Sequence, residues 1–347
     1  MRLKIINILV ALSIFLPFFI NRSVFSSSPL IGYLPSIIFV VLLSKNRISA
    51  NKFILGVLCI ITLILTPNFF EHIKSINVIV VYLIFFYVLS SKQIFFCSRD
   101  LRLLNLLSLI IFIIGLCQMF NVIELESRDD FYFKHLLPFE FNRMTSVFIE
   151  PSACGVFFIL MTVLYEKLEN RNYIVGYVGV LLTFSTQALL VLILLKLSNY
   201  VLVNSDKRKL IIPILLFTTI FQLTSSQIIE RMNSDSFGHR VSGPIIAIEE
   251  IKTEFEFLEI LFGKGIGSLS ELTSKFSEKA PTTHNYFIDV IYEGGFIGFL
   301  LLIFAIIALT GWTNSINIFI LFLAFGYRSP EIIGVAMLSQ VNRRHLI

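Results

Sequence analysis

Three stretches put ionisable residues beside long apolar runs, where charge is costly and therefore informative. The first is Arg143-Met-Thr-Ser-Val-Phe-Ile-Glu150-Pro-Ser152. Arg143 and Glu150 are seven residues apart, which on a helix puts them on one face, about 10 Å apart along the axis. An acid two turns inside a bilayer faces a cavity or a partner. Pro151 lets such a helix bend and frees a carbonyl. The competing interpretation is a charge at a helix start and a protonated or paired Glu that packs a bundle. The second stretch is His239-Arg240, where arginine offers a permanent charge in a fork matched to phosphate oxygens. Alone, such an Arg is a solvated surface charge; it gains interest by preceding an amphipathic segment.

The third stretch is Pro281-Thr-Thr-His284-Asn-Tyr-Phe-Ile-Asp-Val-Ile-Tyr-Glu293-Gly-Gly-Phe-Ile-Gly298. His284 and Asn285 fall at the start of a predicted helix, whose free N–H groups and positive pole suit an anion. A His there binds phosphate as a cation or acts as a base when neutral. Asp289 and Glu293 share one face, and Gly294, Gly295 and Gly298 permit close helix packing. An interfacial His cap before a glycine-packed helix is the plain alternative. Gly263-Lys-Gly-Ile-Gly-Ser268 lacks the spacing of a nucleotide loop and reads as a turn. The five His are scattered with no i, i+4 pair, so no metal and no cofactor is expected.

The chain that must position these residues has 347 residues, 56% of them hydrophobic and only 15% charged. Its mean hydropathy is +0.84. A globule of this size cannot hide so much apolar surface in one core and keep a polar skin. A soluble enzyme, a DNA-binding protein and a disordered chain are thereby excluded. The pI near 9.0 fits basic cytoplasmic loops better than a nucleic-acid surface. Cys59, Cys97, Cys117 and Cys154 read as free small hydrophobes.

A helix needs about 20 apolar residues to cross the hydrocarbon. Candidate spans are 5–20, 29–43, 53–66, 76–90, 102–123, 145–165, 173–185, 187–203, 210–225, 285–309, 315–326 and 331–341. The expected fold is an all-α polytopic membrane helix bundle of about twelve spans, with ten or eleven as the alternative count, in one integral membrane domain over 1–347. The segment after Met-Arg-Leu-Lys has no small-x-small cleavage site following it and reads as a retained first span. The pair 173–203 could equally be one bent helix. With the N-terminus inside, the inner side collects sixteen basic residues, Lys167 and Lys196 among them, against four acids including Glu166. Both termini are then cytoplasmic.

Two outer loops stand out, 124–144 and a much longer one over 226–284 between spans nine and ten. In the long loop Ile245, Ile248, Ile251, Phe255, Leu258 and Phe262 recur at three to four, which predicts one amphipathic helix. Pro244 suits its first turn, Gly263–Gly267 ends it, and Ser268 or Ser270 caps a short helix through Phe276.

The ordered set is Arg-x6-Glu-Pro-Ser on a central span, an Arg in a long outer loop, a Phe-Gly-x-Gly-x-Gly turn, then His-Asn-x7-Glu-Gly-Gly heading the next span. This resembles the O-antigen polymerase and ligase superfamily, most of all the Wzy-type repeat-unit polymerases. The resemblance implies a metal-independent glycosyltransferase acting on undecaprenyl-diphosphate-linked oligosaccharide at the outer face of a bacterial inner membrane. It also implies a chain-length regulator as partner. The family's functional Arg and His match Arg240 and His284, and the Glu-Pro-Ser at Glu150 matches the polymerase pattern. Transfer from a polyprenyl diphosphate develops negative charge on the leaving group, which placed cations stabilise. Arg240 and Arg143, with Asn285, are assigned to the diphosphate. His284 either activates the acceptor hydroxyl or joins the clamp; Glu150 is the rival base or orients Arg143. Two alternatives stand beside the polymerase: an O-antigen ligase and a transporter of the lipid-linked unit.

Overall fold

The computed structural model describes Ile38 and residues 49–64, 74–91, 94–96, 98–123, 132–133, 141–148, 151–203, 235–274, 285–323 and 331–343. These residues are overwhelmingly helical. In chain order they form α1 (Ala50–Ile64), α2 (Lys74–Leu89), β1 (Ile94–Phe96), α3 (Ser98–Met119), β2 (Tyr132–Phe133), β3 (Phe141–Asn142), α4 (Pro151–Glu169), α5 (Ile174–Leu182) and α6 (Thr186–Val203). Then come α7 (Asp235–Thr253), α8 (Phe257–Phe262), α9 (Ser268–Ser274), α10 (Tyr286–Thr310), α11 (Trp312–Phe322), α12 (Glu331–Gln340) and β4 (Val341–Arg343). The strands make two small ladders, β1 parallel to β4 and β2 antiparallel to β3.

Three of the described helices are long and apolar enough to cross a membrane: Leu101–Met119, Pro151–Glu169 and Tyr286–Thr310. Their surfaces fit a lipid solvent. Along α3, Leu103, Leu106, Leu107, Ile110 and Ile113 form an exposed stripe at helical spacing, while Leu101, Leu104, Ser108 and Ile111 are buried on the opposite face. Along α10, Phe296, Leu300 and Phe304 repeat the pattern. Such stripes cost free energy in water and none in hydrocarbon. The expected spans 5–20 and 210–225, and all of 29–43 except Ile38, lie outside the described residues. Helix α5, at nine residues, rises about 13 Å and is too short to cross a hydrocarbon core of about 30 Å.

The single membrane domain expected over 1–347 is organised as two compact units. The first holds 93–223 and the C-terminal residues from Ile333. Helix α4 is its centre: Phe157, Phe158, Ile159 and Leu160 in successive positions are all buried, so it is covered on every side. Gly176 and Gly179 of α5 lie against Thr162 and Phe158 of α4, where a methyl group would not fit. The second unit holds 46–92 and 224–332. There α10 packs on α1 and α2, with Tyr82 and Tyr286 sharing a hydroxyl hydrogen bond of 2.5 Å inside an aromatic cluster with Phe85 and Phe322.

Several local expectations are corrected. The helix predicted from 145 begins at Pro151. Pro151 therefore occupies the first helical position, which needs no N–H, and does not bend a longer helix. The pair 173–203 is two helices and not one bent one. Ser185 accepts from Ala188 N at 3.3 Å to start α6, and Phe184 turns the chain through a left-handed φ of 47°. The single amphipathic helix of the long loop is also two. Helix α7 starts ten residues before Ile245, so Pro244 is interior. It ends before Glu256, which opens α8 in a reciprocal capping box with Glu259.

Candidate functional site

The residues nominated from sequence fall in both units. Arg143 belongs to the first, in an irregular stretch over 143–148 that precedes α4. Since no helix joins it to position 150, the same-face relation between Arg143 and Glu150 does not hold, and Glu150 itself lies outside the described residues. Arg143 is 5% exposed. Its Nε donates to Thr183 O at 3.1 Å and its Nη2 to Phe184 O at 3.1 Å. These carbonyls sit just past the end of α5, where the helix dipole is negative and a cation caps well. The same stretch is pinned to α3: Gln118 Oε1 accepts from Thr145 N and Ser146 N, and Ser146 Oγ donates to Ile111 O at 2.6 Å. The guanidinium expected to face a diphosphate is thus engaged in closing the α5–α6 corner.

Three charges expected at the inner side prove to be helix residues with specific partners. Glu166 of α4 forms an ion pair with Lys196 of α6 and accepts from Tyr177 OH at 2.5 Å. Lys196 is only 7% exposed and its Nζ lies 5.1 Å from the Tyr177 ring centre. Lys167 donates to Leu338 O and Ser339 O, both at 3.0 Å, capping the end of α12.

The remaining nominees lie in the second unit. Asn285 is the N-cap of α10, its Oδ1 accepting from Phe287 N at 3.2 Å and Ile288 N at 3.3 Å. The helix-start donors expected to bind an anion are therefore used by the helix's own cap. Any role for Asn285 toward a diphosphate falls to its Nδ2. His284 lies outside the described residues. Arg240 is on α7, four residues before Pro244. A proline cannot donate to the carbonyl four residues back, so the backbone bond that Arg240 O would accept is removed.

Sequence inspection missed how α7 and α10 are joined. Ala247 of α7, Leu269 and Leu272 of α9 and Tyr292 of α10 form one buried cluster, with Ile246, Ile251, Phe255 and Ile288 packed on it. Of the stripe that reads as one amphipathic face, Ile251 and Phe255 pack on this cluster, whereas Ile245, Ile248 and Leu258 are exposed. Lys264 Nζ pairs with Glu250 Oε1 at 2.7 Å and stands over the rings of Phe255 and Tyr292 at 4.9 and 5.9 Å.

Beneath that cluster α10 is broken. Gly295 has φ 67° and ψ −178°, a conformation essentially restricted to glycine. The carbonyls of Tyr292 and Glu293 accept instead from Lys264 N and Gly265 N, each at 3.0 Å. The two chains cross so closely that a Cβ on Gly295 would lie 2.5 Å from Gly263 N, and one on Gly263 would lie 2.6 Å from Gly294 N. Glu293 is fully buried, and its Oε1 accepts from Gly267 N at 3.0 Å and Leu269 N at 3.3 Å. The cap of α9 predicted at Ser268 or Ser270 is supplied by this carboxylate from another helix, while Ser268 Oγ donates to Gly265 O at 2.7 Å.

Among the described residues no group of His, Cys, Asp and Glu could hold a metal ion. The chain matches no protein-family model, no curated protein and no solved structure.

Proposed function

We propose that this chain is a membrane-embedded glycosyltransferase that joins undecaprenyl-diphosphate-linked repeat units on the outer face of a bacterial inner membrane. In this proposal the chain has about twelve spans, cytoplasmic termini and the 226–284 loop outside. Arg240 stabilises the departing diphosphate. His284 activates the acceptor hydroxyl or binds the diphosphate, and Glu150 is the rival base. The observation that carries the proposal is the joint packing of α7 and α10 through Ala247, Leu269, Leu272 and Tyr292. The helix bearing the long-loop Arg and the helix headed by His-Asn, two motifs picked out independently, belong to one packed unit. Arg143 enters as the residue that closes the α5–α6 corner, with the diphosphate clamp resting chiefly on Arg240.

The break in α10 bears on the transporter alternative, because discontinuous helices often build ion sites from freed backbone groups. Here the carbonyls of Tyr292 and Glu293 are taken by Lys264 and Gly265 N–H groups. That use of the break favours an enzyme scaffold over an ion-coupled carrier. The test is Arg240→Ala and His284→Ala in cells, at membrane levels matched to the wild type. Loss of long-chain glycan with single repeat units still attached to their acceptor supports the polymerase. A bare acceptor with long chains stranded on the lipid carrier indicates the ligase. Normal long-chain product from both variants refutes the assignment.

A further inference from the structure

The buried carboxylate of Glu293 has a place in this arrangement that neither the motif nor its burial explains. It lies on the spanning helix α10, yet both of its Oε1 bonds go to the turn at the head of α9. The turn is held there by two backbone bonds to the broken segment of α10. It is tightened on itself by Ser268 and carries left-handed glycines at 265 and 267, with φ of 99° and 113°. Helix α9 then presents Leu269 and Leu272 to Ala247 of α7. The knot is therefore a common base for two arms. One runs back along α7 from Ala247 to Arg240, seven residues or about 10 Å of helix. The other runs back along α10 from Tyr292 to Asn285, again seven residues, with His284 next in the chain.

We infer that Glu293 is a positioning residue: its carboxylate locks the 263–269 turn into the α10 break and so fixes the arm of α7 that carries Arg240 against the Asn285 end of α10. A carboxylate is suited to this because one of its oxygens accepts from two backbone N–H groups at once at the start of α9. The inference rests on the proposal that Arg240 and His284 do the chemistry.

The test uses the full-length chain purified in detergent, with Glu293→Ala and Glu293→Gln. Gln retains an oxygen that can accept from Gly267 N and Leu269 N; Ala does not. Amide hydrogen exchange is read over 263–274 and over α4 of the other unit. Turnover and KM are read with the lipid-linked glycan that accumulates in cells deleted for this chain. The expected result for Glu293→Ala is exchange over 263–274 faster by about tenfold, with α4 unchanged. Turnover should fall by about 10²-fold at a KM within about threefold of wild type, the mark of misplaced groups and intact binding. Glu293→Gln should restore both readouts to within about threefold. Unchanged exchange in Glu293→Ala overturns the lock. Faster exchange with unchanged turnover overturns the positioning role, and faster exchange in α4 too makes Glu293 a general core residue and overturns the assignment. An unsubstituted chain that extends no glycan refutes the proposed function, and the positioning role with it, while the exchange data still judge the lock.

Discussion

Three glycines share nearly one backbone conformation, and they separate local strain from close helix crossing. Gly263 has φ 79° and ψ 171°, Gly295 φ 67° and ψ −178°, and Gly311 φ 78° and ψ 162°. Alanine in this region costs about 1–3 kcal/mol through backbone strain, a term common to all three. At Gly311 a Cβ meets nothing within 4 Å, so strain is the whole effect. At Gly295 the Cβ also meets Gly263 N at 2.5 Å, and the neighbour is backbone that cannot rotate away. The chains must separate, breaking the bonds from Lys264 N to Tyr292 O and from Gly265 N to Glu293 O. Two backbone acceptors then lose their partners at about 1–3 kcal/mol each, so Gly295→Ala and Gly263→Ala should each cost about 2–6 kcal/mol more than Gly311→Ala. The double variant should cost much less than the sum of the singles, since either one already opens the crossing. Unfolding in detergent, followed by circular dichroism at matched protein and lipid, measures the order. Equal losses at all three positions, or additivity of the Gly263 and Gly295 effects, would refute the close-crossing argument.

Asn285→Ala should lower stability by about 1 kcal/mol through loss of the α10 cap, and Asn285→Asp should restore it. If the amide Nδ2 also meets the diphosphate, Asn285→Asp should raise KM for the lipid-linked donor while leaving the unfolding midpoint in place, which a steady-state titration reads directly. Glu166→Gln should destabilise by about 3–5 kcal/mol, because it takes the carboxylate from the buried Lys196 ammonium, and Lys196→Met should cost less, because Glu166 is partly exposed and keeps its bond from Tyr177. The double variant should recover most of that loss in a double-mutant cycle, and strict additivity would mean the pair does not interact. Arg143→Ala and Arg143→Lys should both reduce the amount of folded protein in the membrane, since a lysine cannot fork onto the carbonyls of Thr183 and Phe184. Normal yield of Arg143→Lys by size-exclusion profile would count against the capping role.

The parts of the fold legible in the sequence were those written in periodicity and local chemistry. The helices α3, α4 and α10, each long and apolar enough to cross a membrane, follow from long apolar runs, and the short helix after Gly267 follows from the glycine turn before it. The cap at Ser185 and the helix start at Pro151 are local signals too, although the hydrophobic runs on either side masked both. What periodicity could not convey is destination. The Gly263–Gly267 turn is recognisable as a turn, but nothing nearby in the chain says that it enters α10 at Gly295, about 30 residues on. The same holds for Glu293, whose spacing places it on the buried face with Asp289 but gives no hint that it caps α9. Arg240 and His284 were nominated through ordered motifs, and the helices that carry Arg240 and follow Asn285 belong to one unit.

Charge assignment is where sequence and structure part most clearly. Counting basic residues by side treats each as a free marker of topology. In the structure Arg143 and Lys167 close helix C-termini, while Lys196 and Lys264 are paired with carboxylates. Each of these cations is part of the fold before it is available to a substrate. Turning Arg143 toward a diphosphate would strip it from the buried carbonyl of Thr183, at a cost of about 1–3 kcal/mol, and from the partly buried carbonyl of Phe184, before any binding energy was gained. A clamp that must re-form at every turnover is better built from a cation whose withdrawal does not open a helix corner. Arg143 variants should therefore fail first in folding, which the amount of folded protein in the membrane reads directly.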